Sequence, residues 1–89
     1  MFRMWCKIFK ENHLIKDMTV EDPASDKSRT KKIFDGLEVC CHTFDLAIPI
    51  WLDSTITEFK RHDRVRFTQD NFMEPVDFDY LEIHVIEED

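Results

Sequence analysis

The densest run of reactive groups is Lys27-Ser28-Arg29-Thr30-Lys31-Lys32, which packs four cations and two hydroxyls into six residues. At the start of a helix, the unpaired backbone N–H groups of the first turn would join them, and the set suits an anion such as a phosphate. Ser28, Arg29, Thr30 and Lys32 are the residues that would hold it. Against this, cations at the positive end of a helix dipole cost on the order of 0.3–1 kcal/mol each. The chain's own carboxylates could offset that cost, which makes a solvated, internally neutralised helix start the plainer reading. The run also lacks the glycines that let a loop wrap a phosphate, so it is no Walker motif.

A second basic cluster, Lys60, Arg61, Arg64 and Arg66 with His62 nearby, lies close in sequence to Trp51, Phe59 and Phe67. Cations interleaved with aromatics suit nucleic acid, where phosphate contacts combine with base stacking. The net charge of −7 and pI near 5.0 oppose that use, and the aromatics are needed for a core, so nucleic acid is not an expected partner. Asp77 and Asp79 share a parity, with Asp70 and Glu74 close by, and oxygen ligands of this kind bind Mg²⁺ or Ca²⁺. No DxDxDG-type loop accompanies them, and no metal or other cofactor is expected. His13, His42, His62 and His84 fall on four separate segments. Cys40, Cys41 and His42 are consecutive, so on a helix they point about 100° apart and form no nucleophile–base pair. With Cys6 the thiols are odd in number and lack CxxC spacing, which predicts free thiols packed as small hydrophobes in a reducing compartment. No catalytic set emerges.

The elements that must position these groups are readable from period and punctuation. Residues 2–9 alternate, with Phe2, Met4, Cys6 and Ile8 on one face, and predict a strand. After the polar break Lys10-Glu11-Asn12, residues 13–21 predict a second strand with Leu14, Met18 and Val20 on one face, completing a hairpin. Residues 22–28, with Pro23, form a loop. A helix follows from Ser28 to Phe44, with Ile33, Phe34, Leu37, Cys40, Cys41 and Phe44 on one face and Asp26, Ser28 or Thr30 as cap. A connection through Pro49 leads to a shorter helix capped by Asp53 or Ser54, with Leu52, Thr55, Ile56 and Phe59 inward. Residues 64–67 predict a short edge strand, 69–71 a turn, and 76–86 a last strand with Leu81, Ile83 and Val85 on one face. The order defines one α+β domain over residues 1–89, with a three- or four-stranded, mainly antiparallel sheet and helices on one face. Its composition, 43% hydrophobic with eight Phe and two Trp, supports one modest core. Arg3 and Lys7 interrupt the apolar start, and no stretch approaches the roughly 20 residues of a membrane span, so a cytoplasmic protein without a membrane partner is expected.

Charge is distributed unevenly along this frame. Residues 67–89 hold eight acidic groups and no Lys or Arg, a sum of −8, whereas the rest of the chain sums to +1. Only Glu87, Glu88 and Asp89 read as tail; the preceding carboxylates belong to a packed strand. The second half, PIWLDSTITEFKRHDRVRFTQDNF followed by VDFDYLEIHVIEED, resembles a group of small bacterial single-domain proteins of unassigned function. That resemblance implies no activity, cofactor or catalytic residue. The expected function is non-catalytic: binding of a protein partner, or self-association, through a charged surface. The rivals are an enzyme or regulator that binds a phosphorylated small molecule at 27–32, and an acidic mimic of nucleic acid.

Overall fold

The computed structural model describes residues 1–88. Four strands, β1 (Phe2–Lys10), β2 (His13–Asp22), β3 (Arg64–Phe67) and β4 (Tyr80–Glu87), form one antiparallel sheet in the order β2-β1-β4-β3. Helices α1 (Arg29–Thr43) and α2 (Asp53–His62) lie between the hairpin and β3 in sequence. The expected α+β architecture is present, and its sheet has four strands. Among the described residues no helix is long and apolar enough to cross a membrane.

The hairpin turns without the usual glycine. Glu11 and Asn12 both take positive φ, 53° and 66°, the backbone geometry that lets two residues reverse a right-twisted ribbon. The register shifts between Ile8 and Phe9, which pairs Leu14 with Phe9 but Lys16 with Ile8. This shift corrects the expectation for β2: Leu14 is displaced from the Met18–Val20 face and is exposed, while Met18 and Val20 pack against the core.

Helix α1 starts where Ser28 caps it, its hydroxyl accepting from the Lys31 N–H at 3.1 Å. Its buried stripe is Ile33, Gly36, Leu37, Cys40 and Cys41, laid over Phe2, Met4, Cys6 and Ile8 of β1. Gly36 permits the close approach, since a Cβ there would lie 2.9 Å from the Met4 methyl carbon. Phe34, expected inward, is 49% exposed because it turns toward α2 and meets Trp51 edge-on at 5.9 Å. In α2, Thr55 and Phe59 are buried, whereas Ile56 and the N-cap residue Leu52, both expected inward, are exposed. The last strand begins at Tyr80 rather than Val76. Ahead of it, Phe78 packs edge-on against Phe72, their centroids 5.8 Å apart; the Asp79 N–H donates to the Phe9 carbonyl at 2.9 Å, and the strand ladder with β1 runs from Tyr80 onward.

Cys6, Cys40 and Cys41 are free and fully buried. Contact with Cys41 favours the Cys40 thiolate, but the Cys6 thiol and burial outweigh it and push the Cys40 thiol up; Cys41 is raised by Cys40 and by burial. Thiols held protonated in a core are poor nucleophiles. An Ellman assay is expected to find none of the three reactive in the native protein and all three in guanidinium. Rapid labelling of the folded chain would contradict this packing.

Candidate functional site

The structure sorts the cations of the first cluster onto the chain's own carboxylates. Lys27 bridges Asp22 of β2 and Asp35 of α1, at 3.1 and 2.9 Å. Lys31 joins Asp35 at 2.7 Å, and Arg29 lies 2.6 Å from both Asp63 and Glu88. Hydrogen bonds from Lys31 and Lys27 hold the Asp35 carboxyl below its usual range, and the Ala24 N–H with Lys27 does the same for Asp22. Ser28 is engaged as the helix cap. Lys32 is buried, its ammonium 5.9 Å from the Phe2 ring centroid, and Thr30 stays exposed on the first turn. The helix start therefore carries its cations with the countercharges already in place.

The second cluster is divided by the fold. Lys60 and Arg61 sit on the last turn of α2, where they complement the negative end of the helix dipole. Arg64 and Arg66 lie on β3 and face the side of the sheet without helices. There Arg66 reaches Glu82 at 3.1 Å and stacks over Tyr80, 4.6 Å from its centroid. Lys60, Arg61 and Arg64 are exposed and have no ion pair among the described residues. Phe59 and Phe67 are buried around Trp51, so they are core aromatics rather than stacking platforms for bases.

The acidic end is likewise split. Glu82, Glu87 and Glu88 pair with Lys7 and Arg66, with Arg3, and with Arg29 respectively. Asp79 accepts the Glu11 N–H at 2.8 Å. Asp70, Glu74 and Asp77 are exposed with no ion pair among the described residues. Glu74 and Asp77 join Asp45 around a recess just beyond the C-terminal end of α1. No group of three or more metal-ligating side chains occurs among the described residues.

Two features escape a reading of sequence. On the helix-free face, one rung of the sheet runs Asp17, Lys7, Glu82, Arg66, with signs alternating across four strands. Its centre is dry: Glu82 is 4% and Lys7 8% exposed, under Trp5 and the stacked rings of Phe9 and Tyr80. The other feature is a groove between the first turns of α1 and the second half of α2, about 250 Å³ in volume. Phe34, Trp51, Ile56 and Phe59 make it apolar, and Arg29 and Lys60 are the charged residues among the described ones that line it. Phe34 and Ile56 gave no signal of it in the sequence, since both fit the helical period as inward residues and only the structure shows them exposed.

Comparison with known proteins finds no match, whether to family models, to curated proteins or to solved structures.

Proposed function

We propose that this protein is a non-catalytic binding module that recognises a macromolecular partner through charged surface on its helical layer. One observation carries the reading: the chain pairs Lys27, Arg29 and Lys31 internally, yet Lys60 and Arg61 on the last turn of α2 have no ion pair among the described residues, and Lys60 lines an apolar groove. Unpaired charge around an apolar patch is the arrangement that steers association and then supplies burial. Saturation of the 27–32 run by Asp22, Asp35, Asp63 and Glu88 weighs against the phosphate reading.

The test is quantitative cross-linking in the source cells, comparing the wild type with Lys60→Glu/Arg61→Glu and, as control, Lys31→Glu, an exposed α1 position outside the groove lining. Cross-linked partners or oligomers should fall about tenfold in the double variant and persist in the control. An unchanged cross-linking profile, together with monomeric sedimentation, would remove the proposal.

A further inference from the structure

We infer that the α1–α2 groove receives an apolar anchor side chain from an acidic peptide segment of a partner protein; this rests on the binding-module reading and specifies its site. Three observations narrow the occupant. At about 250 Å³ the groove lies below the roughly 300–1,000 Å³ typical of small-molecule sites, and it suits an inserted side chain. Its wall is aromatic and aliphatic, with Phe34 at 49% and Ile56 at 37% exposure offering surface to cover. Arg29 and Lys60 are the charged residues lining it: Arg29 is already matched by Asp63 and Glu88, so the open charge is that of Lys60, which has no ion pair among the described residues and is followed in sequence by Arg61. An anchor flanked by Asp or Glu therefore meets complementary charge, and one flanked by Lys or Arg meets repulsion.

Trp51 sharpens the chemistry. Its indole N–H is shielded from solvent and has no acceptor among the described residues, although the ring forms part of the groove wall. Such an N–H retains a desolvation penalty until an acceptor reaches it, and a peptide brings carbonyl and carboxylate oxygens alongside its anchor. Aromatic anchors in desolvated pockets dominate the energetics of recognition of this kind.

The probe is a fluorescein-labelled ten-residue peptide with Leu, Phe and Leu on one helical face and Asp or Glu elsewhere. Its twin carries Lys at every acidic position. Anisotropy is read on the full chain, and fluorescence of the Trp5→Phe variant isolates Trp51. The acidic probe should bind about tenfold more tightly than the twin and perturb Trp51 emission. Ile56→Asp, at an exposed position, should lose about tenfold in affinity while its thermal unfolding stays close to wild type; Lys60→Glu should weaken the acidic probe and strengthen the twin. Equal binding of probe and twin, or an Ile56→Asp variant that binds as wild type, overturns the inference. A dimer that Ile56→Asp dissociates also overturns it, by giving the groove to a second copy, and leaves the binding-module reading standing. A chain that ignores both peptides, stays monomeric and keeps its cross-linking profile in Lys60→Glu/Arg61→Glu loses both.

Discussion

Replacing Glu82 with Ala is expected to destabilise the fold by about 3–5 kcal/mol, the usual cost of removing one partner of a buried ion pair. For a domain whose total stability is on the order of 5–15 kcal/mol, that is a large fraction. The carboxylate sits at the centre of the sheet, 4% exposed, and accepts from Lys7 Nζ at 2.7 Å and Arg66 Nε at 3.1 Å. Its loss strands Lys7, which is 8% exposed, its ammonium 3.9 Å from the Trp5 ring centroid. Arg66 is half exposed and can turn to water, so Lys7 bears most of the penalty. The double variant Lys7→Leu/Glu82→Leu should therefore recover most of the stability, because well-packed apolar pairs replace buried ion pairs at little cost. Urea midpoints of Lys7→Leu, Glu82→Leu and their double form the cycle, and a loss under about 1 kcal/mol for Glu82→Ala would refute a buried role. The pH response follows. Burial pushes the Glu82 carboxyl up, but the hydrogen bonds from Lys7 and Arg66 outweigh it and hold the group below its ordinary 4.5. A carboxyl depressed in the folded state stabilises above its unfolded pKa and loses that contribution as pH falls through the folded value. Wild-type stability should thus decline below pH about 4.5, more steeply than that of the leucine pair.

The same pair shows why the sequence yields some elements and withholds others. The hairpin and α1 announce themselves through period, because Phe2, Met4, Cys6 and Ile8 and then Ile33, Leu37, Cys40 and Cys41 are buried with regular spacing. Lys7 and Glu82 break the alternation of burial in β1 and β4, since they are charged residues buried on the face opposite the core. Only the pairing of β1 with β4 makes that burial tolerable, and a pairing between residues 75 positions apart leaves no local trace. The cation clusters were legible as clusters. Which members are spent was not, because Arg29 finds Asp63 and Glu88 at separations of 34 and 59 residues. The groove follows the same logic: Phe34 fits the helical period of α1, and only the position of Trp51 draws it to the flank.

Asn71 is expected to be the second most sensitive polar position, with Asn71→Ala costing about 3 kcal/mol. The residue is 4% exposed and joins three segments, those of Ile50, Thr55 and Thr68. Its amide donates to the Ile50 carbonyl at 2.9 Å and to the Thr55 hydroxyl at 3.0 Å, and its side-chain oxygen accepts from the Thr68 N–H at 3.0 Å. Its backbone carbonyl also receives the Ile50 N–H at 2.6 Å, so the approach to α2 is pinned to the turn after β3. Alanine leaves the Ile50 carbonyl and the Thr68 N–H without these partners and reduces the Thr55 hydroxyl to its bond from the Leu52 N–H, each lost bond worth about 1–3 kcal/mol where water cannot replace it. Asn71→Asp separates this network from simple volume. The shape is kept and the Thr68 contact survives, but at neutral pH the donor to Ile50 and Thr55 becomes a second acceptor, and a loss as large as that of alanine is expected. Protonation restores a donor, and burial against a carbonyl favours the neutral acid, so the pKa of the introduced carboxyl is raised on folding. A carboxyl raised in the folded state is least costly below its unfolded pKa. The stability gap between Asn71→Asp and wild type should therefore narrow as pH falls from 7 towards about 4. Thermal unfolding at matched pH values measures that gap directly, and a gap that stays constant or widens would show that Asn71 acts through packing alone.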